Sequence, residues 1–234
     1  MGYAAAMQDF SDTPADLRRR ERMVHNQLQG IHDQRVCEAM RALPRHHFVS
    51  PGAQAEAYGD FPMAIGSAQT ISQPVVVAFM LEQLALEPGD RVLDVGSGSG
   101  YAAALAARLV GPDGIVFAVE RQRALVEQSR DALAMHTGHD AIAPVRLILG
   151  DGSQGLPEHA PYDAIQVACA ADQLPEALIA ELAPGGRMIV PVGEHRGSQQ
   201  LIRLTKAADG SVTRQDLWPV RFVPLLAGIA GTEG

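Results

Sequence analysis

Short apolar runs alternate with helix-forming stretches through the second half of the chain. The predicted strands are 92–95, 114–120, 145–149, 162–168, 187–192, 199–205 and 212–223. Near-continuous apolar runs separated by helices are typical of parallel strands, which need crossover connections. The last two runs instead flank an Asp209-Gly210 turn, which favours an antiparallel hairpin. The pattern predicts an α/β fold with a mostly parallel sheet, helices on both faces and a C-terminal hairpin.

Two helices are predicted for the N-terminal part. Residues 1–12 are small and polar, and we expect them to be loose. Thr13 followed by Pro14 predicts a helix that runs to about Gln29, because Thr caps helices and Pro suits the first turn. Asp33 is the predicted cap of the second helix.

Residues 45–49 are interpreted as a short extended piece with two adjacent histidines, His46 and His47. Neighbouring side chains of a strand point to opposite faces, and the sequence offers no evident third ligand. We therefore predict no metal site there.

The uncharged stretch that follows Asp60, within the long loop 58–74, has no regular pattern. Loops of this length are often functional. Pro74 then begins a predicted helix, which makes Ser72 its N-cap. A hydroxyl at a helix N-terminus also suits an anionic ligand, so a cap and a ligand contact both stay open for Ser72.

The glycine turn after the first predicted strand of the sheet selects among ligands. Gly96, Gly98 and Gly100 occupy alternate positions, whereas a dinucleotide site requires G-x-G-x-x-G beneath its pyrophosphate. Asp94, just before the turn, would repel a pyrophosphate and attract an ammonium group. S-adenosylmethionine carries an ammonium and a sulfonium but no phosphate, so the turn favours that cofactor. A structural turn with Asp94 bonded to backbone is the alternative.

Two further acids follow predicted strands. Glu120 lies about 20 residues beyond Gly100, where an acid binds a ribose diol in this kind of fold. Asp151 follows the next strand, where it is placed to accept a bond from an adenine amino group. Each acid alone is typical of a helix cap or a solvated charge. Three acids, Asp94, Glu120 and Asp151, each at or just after the end of a predicted strand, together favour a nucleoside site.

Length, charge and cysteine content narrow the class of protein. The 234 residues suit one α/β domain with additions. A net charge of −8 argues against a nucleic-acid surface. Two cysteines form neither a disulfide framework nor a zinc spacing, which fits a reducing cytoplasm. No apolar run has the length of a bilayer span. We expect a cytoplasmic monomer that binds no nucleic acid or membrane.

Several motifs together resemble the protein-L-isoaspartate O-methyltransferase family, over about residues 22–225. They are 65–66, 69–74, 94–100, 150–152, 160–165, 184–187, 191–193 and 222–225. The glycine turn is shared by many methyltransferases, whereas Thr-Ile-Ser-Gln-Pro and Val-Pro-Leu are much more specific. The resemblance implies a Rossmann-like class I methyltransferase. Residues 1–86 would carry the N-terminal helices and active-site loop, and 87–234 the cofactor-binding core, in one integrated domain.

The resemblance also implies an activity and a set of site residues. Such an enzyme transfers the methyl group of S-adenosylmethionine to the free α-carboxylate of L-isoaspartyl residues in damaged proteins and peptides, which initiates repair. S-adenosylhomocysteine is the product. Ser72 matches the active-site serine. The implied cofactor-binding residues are Thr70, Ile71, Ser72, Asp94, Gly96, Ser97, Gly98, Glu120, Asp151 and Gly152. The implied substrate-binding residues are Tyr58, Ile65, Val223, Pro224 and Leu225.

The sequence departs from the family pattern at two positions. Asp172 stands where a proline is usual in a loop near the substrate, which bears on peptide preference. Leu226 stands where some members have a polar residue, which removes one possible cofactor contact. The tail from Leu226 onward is expected to be mobile.

The implied chemistry needs few groups. A carboxyl group with a pKa of about 4 is already ionised at neutral pH, so no general base is required. Ser72 would orient the carboxylate by a hydrogen bond. It is not expected to be a covalent nucleophile, because no partnered His–Asp arrangement is evident.

Three other interpretations stay open. A methyltransferase of the same fold acting on another carboxylate, such as an aspartate in a biosynthetic peptide, is compatible with the departure at Asp172. A nicotinamide-dependent oxidoreductase is opposed by the glycine spacing and Asp94. A non-catalytic cofactor-binding or interaction protein is opposed by Ser72 and the three acids.

Overall fold

The computed structural model describes residues 12–194 and 197–231, so the prediction for the first eleven residues lies outside the described chain. The helices are α1 Pro14–Gln27, α2 Gln34–Ala42, α3 Pro74–Leu84, α4 Tyr101–Val110, α5 Arg123–His136 and α6 Glu176–Ala180. The strands are β1 Met63–Gly66, β2 Gln69–Ile71, β3 Arg91–Val95, β4 Ile115–Glu120, β5 Val145–Leu149, β6 Tyr162–Val167, β7 Leu182–Val192, β8 Gln199–Lys206 and β9 Val212–Val220.

Seven strands form one sheet in the order β5-β4-β3-β6-β7-β8-β9. In this spatial order, the five strands β5, β4, β3, β6 and β7 run parallel to one another. Strand β8 then pairs antiparallel with both β7 and β9. The predicted parallel sheet with a C-terminal hairpin is confirmed. From β3 the chain adds β4 and β5 toward one edge of the sheet, and it then adds β6 and the later strands toward the other edge. A crevice opens beyond the carboxyl ends of β3 and β6, where this order changes.

Alternate residues of the central strands enter two separate cores. Val92 belongs to the core that contains α1 to α4, whereas Leu93 belongs to the core on the other face. The first core includes Met23 of α1 and Leu105 of α4 together, so the N-terminal helices share it with the sheet.

The N-terminal helices begin where the sequence predicts. The Thr13 side chain accepts from the backbone of Asp16 in a capping box, and Asp33 accepts from the backbone of Arg35. No helix within the described ranges is both long and apolar enough to cross a bilayer.

Two predictions for the N-terminal part are wrong. Residues Arg45–Phe48 form a 3-10 helix instead of an extended piece, and all four side chains are buried. The loop 58–74 is not irregular, because it contains the antiparallel hairpin of β1 and β2. Ser67 and Ala68 form its turn with φ angles of 49° and 55°.

The predicted N-cap at Ser72 is also wrong. Pro74 is the first residue of α3, so the cap falls on Gln73, which makes no side-chain capping bond. Ser72 therefore precedes the helix without capping it, and its side chain is left for another role.

The segment between β6 and β8 is more extended than expected. Helix α6 is five residues long, and β7 begins at Leu182, well before the predicted start at Arg187. A register shift in the pairing with β6 accommodates Pro184-Gly185-Gly186 within the strand.

Candidate active site

The glycine turn between β3 and α4 is tightly fixed. The backbone N–H groups of Gly96 and Ser97 both donate to the carbonyl oxygen of Val119, at 2.9 Å and 3.1 Å. Gly100 has a φ of 83°, and a Cβ atom there would lie 2.9 Å from Leu133. A Cβ on Gly98 would lie 3.1 Å from the Ile65 side chain, so the turn also packs closely against β1.

Asp94 lies at the floor of this turn and is 1% exposed. Its Oδ1 accepts a bond of 3.3 Å from Nε2 of Gln166, the residue beside it on β6. Its Oδ2 has no hydrogen-bond partner among the described residues. Burial raises the pKa of Asp94 to about 7, and the nearby charge of Glu120 acts in the same direction, whereas the side chains of Ser97 and Gln166 oppose the rise. An ammonium group would supply the missing partner and favour the ionised form.

Three other buried polar atoms around a cavity beside Asp94 also have no partner in the described chain. They are Ser97 Oγ, Tyr101 Oη and Gln166 Oε1. Buried polar groups are normally hydrogen-bonded, so such a cluster indicates a polar ligand. A hydroxyl that donates beside a carboxylate that accepts fits the carboxylate and ammonium of an amino acid. The residues therefore fit the methionine end of S-adenosylmethionine.

Glu120 braces the glycine turn from the end of β4. Its Oε2 accepts from the backbone of Gly98 at 2.9 Å, and its Oε1 accepts from the backbone of Gln122 at 2.8 Å. It lines a second cavity, which shares Gly96 and Gly98 with the first and so adjoins it at the turn. Each carboxylate oxygen has a second lone pair, so Glu120 retains capacity to accept from a ribose diol.

Asp151 is bonded within the protein. Its Oδ1 accepts from the backbone and hydroxyl of Ser153, and its Oδ2 accepts from the backbone of Gly228 at 2.7 Å. Burial alone would raise its pKa, but the bonds from Ser153 and Gly228 hold the pKa of Asp151 below its usual range. Gly152, rather than Asp151, lines the cavity beside Glu120.

Residues 226–231 are held against this cavity by hydrogen bonds, contrary to the expected mobile tail, whose last three residues lie outside the described chain. Arg121 donates to the carbonyl oxygens of Gly228 and Ala227 and accepts, through its own carbonyl, from Ala230. These bonds place Leu226 in the cavity wall. The departure from a polar residue at this position thus adds an apolar surface to the site.

Ser72 lies where the cavities meet a surface groove. It lines both the cavity that holds Ser97 and the groove, and Thr70 and Ala168 line all three spaces. The Ser72 hydroxyl makes no hydrogen bond within residues 12–194 and 197–231, whereas its carbonyl accepts from Arg45. The hydroxyl is therefore available to a bound group.

The structure brings most of the sequence-predicted site residues together. The cavity beside Glu120 is lined by Thr70, Gly96, Gly98, Glu120, Gly152, Val223, Pro224 and Leu225. The cavity beside Asp94 is lined by Thr70, Ile71, Ser72, Gly96, Ser97 and Gly98. Ile65 lies beneath Gly98. Tyr58 lies apart from these spaces, with its hydroxyl 2.7 Å from Nδ1 of His46. Asp172 is exposed and lines none of them.

Sequence reasoning assigned no site role to Gln166, Arg45 or Cys169, although Cys169 lies in the loop that the resemblance places near the substrate. Gln166 carried a signal, because it is the one polar residue in the otherwise apolar run 164–168. Cys169 lines the cavity beside Glu120, and its Sγ lies 3.1 Å from where a Cβ on Gly96 would be. Among the residues that the structure describes, no group of three His, Cys, Asp or Glu side chains is arranged to hold a metal ion.

Comparisons with known proteins agree with this geometry. The model of the family "Protein-L-isoaspartate(D-aspartate) O-methyltransferase (PCMT)" matches residues 18–230. The protein-L-isoaspartate O-methyltransferase of Methylorubrum extorquens (strain PA1) is 50% identical over 218 residues, which cover 92% of this chain and 91% of the relative. That of Anaeromyxobacter dehalogenans (strain 2CP-C) is 53% identical over 196 residues, or 84% of this chain and 91% of the relative.

A solved structure shares the fold. It is described as a protein-L-isoaspartate O-methyltransferase from Plasmodium falciparum in complex with S-adenosyl-L-homocysteine. It superposes with a TM-score of 0.77 at 29% identity, covering 88% of this chain and 98% of that one. The fold class predicted from the sequence is confirmed, and so is the resemblance drawn from its motifs. The chain belongs to the protein-L-isoaspartate(D-aspartate) O-methyltransferase family.

Proposed function

We propose that this protein transfers the methyl group of S-adenosylmethionine to the free α-carboxylate of L-isoaspartyl residues in proteins and peptides. Family membership gives the reaction class. The observation that carries the proposal is the unpartnered Oδ2 of buried Asp94. Asp94 does not itself line the cavity that reaches Ser72, but that cavity is lined by Ser97 and by Gln166, which donates to Asp94 Oδ1. A methyl donor with an ammonium group offers this oxygen a cationic donor, whereas the carboxylate would repel the pyrophosphate of a nicotinamide dinucleotide.

The cofactor supplies an electrophilic methyl group. Asp94 and Ser97 would hold its amino-acid end, because both have a buried atom without a partner. Glu120 would accept from the ribose with the lone pairs that Gly98 and Gln122 leave unused. Gly152 and Leu226, two uncharged residues of the same cavity wall, would contact the purine.

The acceptor carboxylate needs orientation rather than activation. It is ionised at neutral pH, so a general base is unnecessary. The Ser72 hydroxyl would donate a hydrogen bond to one carboxylate oxygen and leave the other oxygen aligned with the methyl carbon. Alignment at about 3 Å in a site from which water is excluded accounts for much of the acceleration in such transfers.

The test uses labelled S-adenosylmethionine and two peptides of one sequence, one with isoaspartate and one with normal aspartate. Base-labile methyl incorporation is measured at saturating cofactor. Labelling of the isoaspartyl peptide alone is the expected result. Labelling of the normal peptide would assign the chain to another carboxylate. Labelling of neither, with cofactor still bound, would contradict the proposed acceptor. Size-exclusion chromatography tests the expected monomer.

A further inference from the structure

A groove on the protein surface leads away from Ser72 between helix α3 and the end of β9. One wall is formed by Val75 and Val76 in the first turn of α3, and the other by Trp218 and Val220. The inner end of the groove contains Ser72 itself. The groove is therefore continuous with the space in which the acceptor carboxylate would react.

The outer wall of this groove carries an exposed aromatic residue. Trp218 is 42% exposed, although its ring stacks on Phe79 of α3 at a centroid distance of 3.7 Å and an angle of 4°. The stack holds the indole in a fixed position, so an apolar side chain can pack against its free surface at little entropic cost.

The same groove contains one cation, Arg221, and no other charged residue among its described lining. Arg221 makes no ion pair within the described ranges. Another exposed arginine of the same hairpin, Arg214, pairs with Asp216 at 2.7 Å. In a protein with a net charge of −8, an unpaired cation beside the reaction site favours an anionic partner.

On the basis of the proposed function, we propose that this groove binds the peptide segment next to the isoaspartyl residue. Trp218 contacts an apolar side chain of that segment, and Arg221 contacts an acidic one. Since the groove opens at Ser72, an extended peptide with its reacting carboxylate at Ser72 has its neighbouring residues along these walls. The two residues therefore determine which sequence contexts are methylated efficiently.

The experiment measures kcat/KM for isoaspartyl peptides at saturating S-adenosylmethionine. The residue on each side of the isoaspartate is set in turn to Ala, Leu, Glu or Lys. The natural protein is expected to prefer Leu over Ala and Glu over Lys on at least one side. Trp218→Ala should reduce the Leu preference by about fivefold, a part of what one apolar contact contributes. Arg221→Gln should reduce the ratio of Glu to Lys by about two- to fivefold, as an exposed ion pair allows.

Matched variants separate recognition from folding. Trp218→Phe retains an aromatic cover on Phe79 and should retain the Leu preference. Arg214→Gln removes an exposed arginine outside the groove and should leave every ratio unchanged. Calorimetric affinity for S-adenosylhomocysteine should be the same in all variants, which shows that each is folded.

Two results would overturn the inference while leaving the proposed function intact. One is that Arg221→Gln shows the same peptide preferences as the natural protein. The other is a dimer in solution whose dissociation exposes Trp218 to quenchers, since a second copy would then occupy the groove. Failure of every isoaspartyl peptide to be methylated would instead contradict the proposed function itself.

Discussion

Arg45 donates from Nη2 to the carbonyl oxygen of Ser72 at 2.8 Å, across 27 residues of chain. The same guanidinium donates from Nε to the carbonyl oxygen of Ala57 at 2.7 Å. Arg45 is completely buried, and its burial lowers the pKa to about 10, so it stays cationic at neutral pH. A buried cation thus fixes the backbone of the residue expected to orient the acceptor.

Replacing Arg45 by Lys should impair turnover more than cofactor binding. An ammonium lacks the planar fork that reaches both carbonyl groups, so the Ser72 backbone loses its support. We expect kcat to fall by about tenfold or more, because small displacements of reacting groups are costly. Initial rates and S-adenosylhomocysteine calorimetry provide the measurements. Arg41→Gln, which removes an exposed pair with Glu21, is the control and should behave as the natural protein.

Ser72→Ala should lower turnover without lowering stability. The structure places the helix cap at Gln73, so removing the hydroxyl removes no capping bond. We expect kcat to fall by about tenfold or more, as for a lost positioning contact, and the free energy of unfolding to change by less than about 0.5 kcal/mol. Denaturant titration and peptide methylation measure both. A stability loss with normal kinetics would restore the interpretation of Ser72 as a structural residue.

Affinity for S-adenosylhomocysteine should depend on the protonation of Asp94. The free protein has a pKa of about 7 at this carboxyl, whereas the ammonium of the ligand favours the ionised form. Binding below pH 7 must therefore displace a proton, and affinity should fall by up to about tenfold for each pH unit. Calorimetry from pH 8 to pH 5 measures this. Methylthioadenosine lacks the amino-acid group and should show a flatter profile.

Asp94→Asn should abolish tight cofactor binding yet stabilise the ligand-free protein above pH 7. The pKa of Asp94 in the folded state is about 7, above the ordinary value of 3.8, so the folded state binds more protons between these two pH values. Stability therefore falls as the pH rises from 3.8 to 7, and the full penalty of the buried carboxylate applies above pH 7. We expect a gain of at least about 1 kcal/mol at pH 8, since one pKa unit corresponds to about that energy. Denaturant titration at pH 8 and pH 5 shows whether the substitution raises or lowers the free energy of unfolding. A less stable variant at pH 8 would show that the burial of Asp94 is not costly.

The buried pair His47 and His136 should make stability fall in acid. Nδ1 of His47 lies 2.8 Å from Nε2 of His136, and burial lowers the pKa of each to about 4. The unfolded chain therefore binds more protons between pH 6.5 and pH 4, so stability is complete above this range and falls through it. His136→Gln should reduce the loss between pH 7 and pH 5 by about 1 kcal/mol. His25→Gln, at an exposed position of α1, should not.

The strand–turn–helix unit was predictable because its signals are local. Asp94 and the alternate glycines specify the end of a buried strand and a turn with positive φ angles, and the structure follows them. Cofactor chemistry could be inferred from the same few residues. Gln166 stood out as a polar residue in an apolar run, but its contact with Asp94 could not be predicted, since only the strand order brings these two residues together across 72 positions.

The hairpin of β1 and β2 had no usable signal. Ser67 and Ala68 adopt left-handed conformations, whereas hairpin turns of that geometry usually carry Asn or Gly. Packing of Ile65 beneath the glycine turn compensates for this local preference. The 3-10 helix at Arg45–Phe48 also depends on the tertiary fold, which buries four consecutive side chains. A five-residue sequence pattern contains no information about that burial, so the segment was predicted to be extended.

The hydrogen bond from Gly228 to Asp151 has a practical consequence for any assay of this protein. It anchors the C-terminal segment beside the cavity that Glu120 lines, and Arg121 secures the neighbouring carbonyl groups. An affinity tag or fluorophore attached after this segment would be tethered directly to a wall of the candidate site. Labels for measuring product release therefore belong on exposed residues of α1 or α2, where attachment leaves that wall undisturbed.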